Sequence, residues 1–196
     1  MRGTKRNLLT LLLLKSSKDA VMGIIICGMN GSGKSTLGCA LAESLGWRFI
    51  DNEDLYFPKA DPARPFAVER TQEEVERLLL EDVRRDERFV FAAVRGNYGD
   101  AVLPYYKAAV LVEVPREIRL QRVWERSHRR FGARMLPGGD LYESEKRFYD
   151  LIAARPEDYA ERWLRAVEIP VLRVDGTRPA GENVALITDW LRRNHP

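Results

Sequence analysis

The stretch GMNGSGKST, residues 28–36, decides how this chain folds. It lies between an apolar run, GIIIC at 23–27, and a segment with Leu37, Leu41 and Leu45 at helical spacing. Gly28-x-x-x-x-Gly33-Lys34-Ser35 is the pattern of a phosphate-binding loop joining a strand to a helix. Each position has a physical reason. Glycines let the backbone curl until successive N–H groups point at phosphate oxygens, aided by the N-terminus of the helix that follows. Lys34 brings a cation to the outer phosphates, the Ser35 hydroxyl suits magnesium, and Thr36 adds a hydroxyl near the innermost phosphate. The candidate nucleotide-binding residues are therefore Gly28, Asn30, Gly31, Ser32, Gly33, Lys34, Ser35 and Thr36.

Outward from the loop, short apolar runs alternate with helical patterns. The runs are RFI at 48–50, FVFAAV at 89–94, AVLVEV at 109–114 and VLRV at 171–174. Their unbroken apolar character fits strands buried on both faces, so a parallel sheet covered by helices on both sides is expected. Thr71 and Glu74 form a T-x-x-E capping box before Val75, Leu78, Leu79 and Val83. A helix is expected from about Arg116 to Arg130, with Ile118, Val123 and Trp124 as its apolar positions. A Gly- and Pro-containing segment follows, and Asp140 with Glu143 forms a second capping pattern for a helix ending before Pro156. No internal repeat or interdomain linker interrupts residues 23–196, which read as one domain.

The 196 residues are long enough for a sizeable core, and 45% hydrophobic with 31% charged residues describes a globular chain. A formal net charge of +3 permits an anionic small-molecule substrate without arguing for nucleic acid or membrane. Cys27 and Cys39 read as reduced core thiols of a cytoplasmic protein. In residues 1–22 the apolar run LLTLLLL is too short to span a bilayer, and it ends at Lys15 without a small-residue cleavage site. They read as an extension, disordered or not native.

The segment GMNGSGKSTLGCALAESLGWRFIDNED resembles the opening of small-molecule kinases related to shikimate kinase, gluconate kinase and the nucleoside monophosphate kinases. The resemblance covers residues 23–54 closely and the rest in outline. It implies a three-layer α/β phosphate-loop fold with five parallel strands, ATP and magnesium as cofactors, and transfer of the γ-phosphoryl to a small acceptor. Side chains two apart on an extended segment point the same way, so Asp51 and Glu53 are expected to project together, with Asp54 capping the next turn. In such kinases an acidic pair at this place organises the metal and orients the acceptor hydroxyl. This assigns Asp51 to the metal and Glu53 to the acceptor.

Motor proteins and GTPases end a strand with a magnesium-holding aspartate, whereas FVFAAV runs into Arg95-Gly96-Asn97-Tyr98-Gly99. In the related kinases this strand end faces the acceptor. Arg95, Asn97 and Tyr98 are accordingly candidates to grip an acceptor carrying a carboxylate or phosphate, with Arg70 as a further acceptor-binding arginine. The related kinases also close an arginine-bearing lid over the phosphates, here at about 126–142. Arg122, Arg126 and Arg130 recur at helical spacing beside Arg129 and Arg134, and Arg126 and Arg130 are the catalytic choices. Gly132, Gly138 and Gly139 would serve as its flexible ends. His128 carries no assignment. Asp175-Gly176-Thr177, after the last strand, would lie against the adenine ring.

The reading is an ATP- and magnesium-dependent phosphotransferase acting on a small hydroxylated or phosphorylated metabolite. A nucleoside monophosphate kinase is the alternative within that class. Outside it stand a non-catalytic ATP-binding regulatory module and an NTPase that uses water. Basic Arg122–Arg134 has no interleaved aromatic platform for nucleic acid, and no stable membrane association is expected.

Overall fold

The computed structural model describes residues 22–58, 66, 68–86 and 88–194. Strands and helices alternate as β1 (Met22–Cys27), α1 (Lys34–Leu45), β2 (Arg48–Asp51), α2 (Asn52–Tyr56), α3 (Gln72–Arg85), β3 (Arg88–Ala93), β4 (Tyr106–Glu113), α4 (Arg116–Phe131), α5 (Tyr142–Ala154), α6 (Tyr159–Leu164), β5 (Val171–Asp175) and α7 (Ala180–Asn194). The five strands are all parallel, in the order β2-β3-β1-β4-β5. The expected α/β architecture is therefore present. The extension expected at 1–22 lies outside the described residues except for Met22, which opens β1.

Strand β1 explains the layering. Its side chains alternate, so Ile24 and Ile26 join Leu37 and Leu41 of α1 and Ile187 and Leu191 of α7 in one core. Ile25 and Cys27 point the other way, into a second core with Val75, Leu79 and Val83 of α3 and Leu164 of α6. All of β1 from Ile24 to Cys27 is fully buried. Truncating Ile24 or Ile25 to alanine is expected to cost about 2–5 kcal/mol, because a cavity opens between layers that cannot collapse freely.

Helix ends follow local chemistry, with three departures from expectation. Thr71 and Glu74 do form a reciprocal capping box on α3. Asp140, however, does not cap α5. It accepts from Arg134 Nε at 2.9 Å and Nη2 at 2.8 Å, and Leu141 is the N-cap without any side-chain bond. A bidentate guanidinium outcompetes a single backbone N–H. On α4 the buried positions are Arg119, Val123, Ser127 and Phe131, a strict i, i+4 row. Ile118 and Trp124 are left 37% and 45% exposed, and Trp124 instead stacks on His128. Cys39 is exposed rather than buried, because α1 turns Leu37, Gly38, Leu41 and Ala42 inward. Among the described residues, no helix is long and apolar enough to cross a membrane.

Candidate phosphate-binding site

The loop after β1 emerges at the centre of the sheet, with β3 and β4 on either side of its strand. It turns through Gly31 at φ +80° and Gly33 at φ +88°, backbone that only glycine adopts without strain. Gly31 has a second constraint: a Cβ there would run into the Arg119 carbonyl of α4. Gly31→Ala is therefore expected to lower stability by about 2 kcal/mol or more. A melting curve should move down by roughly 5 °C or more for a chain of this size, and an unchanged curve would refute the close approach.

Gly33 caps α1 with no side-chain hydrogen bond, and the first turn of that helix holds no acidic residue. The leading N–H groups of Lys34, Ser35 and Thr36 have no intrahelical partner by the geometry of any α-helix, and the positive end of the helix dipole lies behind them. Ser32 is fully buried beneath the loop, its hydroxyl without a hydrogen-bond partner. These features fit a polyphosphate, a ligand that supplies many acceptors at once.

Lys34, half-buried, is the electrostatic centre of the site. Desolvation pulls its ammonium from an ordinary 10.5 down to about 8, against the raising influence of Asp51 and Glu53 and with further lowering by Arg126 and Arg155. Four of the surrounding charges therefore converge on one amine. Asp51 occupies the end of β2, where its carboxylate accepts from the Glu53 backbone N–H at 2.9 Å and caps α2. The capping role expected of Asp54 falls to Asp51. Asp51 is the cap, Asp54 lies within the first helical turn, and the segment is helical from Asn52 rather than extended. Glu53 still turns toward the site, where Arg126 Nη1 and Arg130 Nη1 each stand 3.8 Å from its carboxylate. Arg130 also lies over the ring of Phe66, 4.8 Å from the centroid.

The remaining candidates divide. Arg122 donates to the Gly176 carbonyl at 3.0 Å, fastening α4 to the turn after β5. In that turn Asp175 accepts from both the backbone N–H and the hydroxyl of Thr177, and a Cβ on Gly176 would sit 2.7 Å from the Ser32 carbonyl. The Asp175-Gly176-Thr177 turn thus borders the phosphate loop. Tyr98 points inward, against the expectation that it faces an acceptor. It is 7% exposed, packs edge-on against Phe91, and its hydroxyl donates to Asn52 Oδ1. Arg70 spends donors on the carbonyls of Leu55, at 2.7 Å, and Asp54, at the C-terminal end of α2. Asn97 is exposed, with its carbonyl accepting from Gln72. Arg95 lies over the Tyr159 ring at 4.5 Å.

Arg155 escaped the sequence reading. It stands at the C-terminal cap of α5, lies 5.4 Å from the same Tyr159 ring, and donates through Nη1 to Asn30 Oδ1 at 2.6 Å. No motif announces it. The only sequence signal is a basic residue before Pro156 at a helix end, and its meaning depends on a contact 125 residues away.

Among the described residues, no group of three or more His, Cys, Asp or Glu side chains is placed to hold a metal ion. What the site offers instead is the Ser35 hydroxyl and the Asp51 carboxylate, with the Glu53 carboxylate turned toward Arg126 and Arg130. That sparse set suits a magnesium ion completed by phosphate oxygens and water, not one caged by protein.

Comparison with known proteins places the chain among relatives of the same fold. The uncharacterized protein YqaC of Bacillus subtilis (strain 168) is 28% identical over 179 residues, covering 87% of this chain and 98% of its own length. A shikimate kinase of Synechococcus sp. (strain RCC307) is 29% identical over 152 residues, 72% of this chain and 73% of its own. The crystal structure of a gluconokinase from Sinorhizobium meliloti 1021 superposes with a TM-score of 0.52 at 19% identity, over 90% of this chain and 98% of that one, and so shares the fold. Shikimate kinase and gluconokinase are two of the kinase groups that residues 28–54 resemble. Residues 24–150 match the family described as an AAA domain, a span that takes in the phosphate loop, the acidic segment and the arginine-bearing helix: the chain belongs to that family.

Proposed function

We propose that this chain is a small-molecule kinase that moves the γ-phosphoryl of ATP, with magnesium, to a small hydroxylated or phosphorylated acceptor. The phosphate loop at the head of α1, with Asp51 at the end of β2 and Glu53 within 3.8 Å of both Arg126 and Arg130, carries this reading. Phosphoryl transfer asks a protein mainly for positioning and for neutralisation of charge on the transferred group, and this cluster offers both. Lys34 and the loop N–H groups hold the outer phosphates. Ser35 and Asp51 would hold the magnesium ion, which supplies charge neutralisation between phosphates when bound. Arg126 and Arg130 cover the transferred group, and Glu53, which faces them, orients or deprotonates the acceptor hydroxyl. Asp175, Gly176 and Thr177 border the adenine. The turn after β3 leads to the acceptor, with Arg95 and Asn97 at its mouth, and Arg155 joins them across the Tyr159 ring. Both guanidiniums rest against a neutral aromatic face rather than a carboxylate, so their charge is available to an anionic acceptor.

A nucleoside monophosphate as acceptor is the second reading. It is favoured by the edge-on pair of Phe57 and Phe66, with centroids 5.1 Å apart, which offers apolar surface for a base. Both readings are tested by measuring ADP release with ATP, magnesium and a panel of sugar acids, shikimate, nucleosides and nucleoside monophosphates. At least one compound is expected to raise the rate tenfold or more. Nucleotide binding without any stimulation would instead mark a regulatory module. Equal release with and without acceptor would mark a water-using NTPase.

The depressed Lys34 gives this reading a pH signature. The protonated amine is the form that binds phosphate, and it is lost as pH rises through about 8 in the nucleotide-free chain. Affinity for a non-hydrolysable ATP analogue should be flat below that pH and weaken toward tenfold per unit above it. Stability moves the opposite way. An unfolded lysine keeps its proton to 10.5, so the burial cost is relieved between about 8 and 10.5 and stability gains there. Titration calorimetry across pH 6.5–9.5 reads the first trend, and constant affinity through that range would exclude Lys34 as the phosphate ligand.

A further inference from the structure

Two guanidiniums are held near Lys34 in different ways. Arg126 stands 3.8 Å from the Glu53 carboxylate, an ordinary opposite-charge neighbour. Arg155 has neutral partners: the Asn30 amide oxygen at 2.6 Å and the Tyr159 ring. Its charge nevertheless acts on Lys34, pushing that amine toward its neutral form. Placing a cation beside a lysine and the positive end of a helix is unfavourable by itself. Something must hold it there, and the hydrogen bond from Arg155 to Asn30 is the direct tie to the loop.

The surrounding frame directs that tie. Glu157, two residues after Arg155, receives Arg119 Nη2 at 2.7 Å and Arg116 Nη1 at 3.0 Å from the start of α4. Arg119 is itself buried, and its carbonyl is the one that crowds Gly31. Adjacent loop residues therefore touch both sides of one junction: Gly31 meets α4, and Asn30 meets the end of α5. The junction is fixed by ion pairs, which leaves the Arg155 side chain as the part whose direction depends on Asn30.

We infer that Asn30 is a positioning residue: its side-chain amide aims Arg155 into the site, locking the acceptor's anion-binding arginine to the donor's phosphate loop. This rests on the kinase reading above, in which Arg155 grips an anionic acceptor. Neutrality of the tie is part of the device. A carboxylate at position 30 would hold Arg155 more strongly but would cancel the charge the acceptor needs and place an anion beside the phosphates.

Two measurements on the full chain test it. The first reads the tie without any substrate: the rate at which phenylglyoxal modifies Arg155, followed by peptide mass spectrometry. Asn30→Ala should raise that rate at least threefold, and Asn30→Asp should return it to the wild-type value or below. The second is steady-state kinetics with ATP against shikimate, gluconate and CMP. Asn30→Ala should raise the KM of whichever compound turns over by about tenfold, a larger factor than it changes kcat or the KM for ATP, and Arg155→Ala should raise that KM at least as much. Wild-type labelling of Arg155 in the Asn30→Ala chain would overturn the inference and leave the kinase reading intact. An Arg155→Ala chain with wild-type KM would remove Arg155 from the acceptor site. If no compound turns over with the wild-type chain, the kinase reading fails, while the labelling still decides whether Asn30 holds Arg155.

Discussion

Lys34→Ala is expected to lower kcat/KM for ATP by about a thousandfold, roughly 4 kcal/mol of transition-state stabilisation. The same substitution should leave the melting temperature unchanged or raise it. Burial already drives the Lys34 ammonium down to about 8, which means the folded chain bears a desolvation cost for keeping that charge. Alanine removes the cost along with the function. The combination is diagnostic, since a variant that lost activity through unfolding would melt early. Wild-type ATP affinity in Lys34→Ala would remove the central element of the proposed mechanism.

Asp51→Asn has the second-largest expected effect, and the structure makes it a clean probe of charge. Asp51 Oδ1 caps α2 by accepting from the Glu53 N–H, and the amide oxygen of asparagine caps a helix about as well. The fold should therefore be kept, with melting unchanged within about 2 °C, as expected for a change well under 1 kcal/mol. Magnesium-dependent turnover should fall by about a hundredfold or more, because the carboxylate that would organise the ion is gone. Asp51→Ala should add a loss of about 1 kcal/mol from the missing cap. Full turnover in the asparagine variant would restrict Asp51 to capping.

How much of this was legible beforehand depended on whether the information was local. The phosphate loop was readable because each of its residues answers to one backbone or charge requirement within nine positions. The strands were readable because burial on both faces leaves an unbroken apolar run, as in FVFAAV. The capping box of Thr71 and Glu74 was readable because both partners lie within one turn. Where two local rules competed, the sequence could not rank them. Asp140 had a helix to cap and an arginine six residues back, and it took the arginine. Asp54 read as the cap of the next turn, but β2 ends at Asp51 and that residue took the role. On α4 the apolar residues Ile118 and Trp124 were poor guides to the buried face, since the row that meets the rest of the chain carries Arg119 and Ser127. Arg119 tolerates burial because Val114 and Glu157 receive its donors. Arg155 was illegible for the plainest reason: its partner Asn30 lies 125 residues earlier in the sequence.

The central position of β1 also bears on how this protein is made. Ile24 lies in register with Val90 on one side and Ala108 on the other. A strand flanked by partners so much later in sequence cannot settle while they are still inside the ribosome. The phosphate loop is thus synthesised before both strands that flank its own, and acquires its working shape only after them. During synthesis its apolar lead, Gly23–Cys27, waits unpaired, and nucleotide can find a finished cradle only after β4 has emerged.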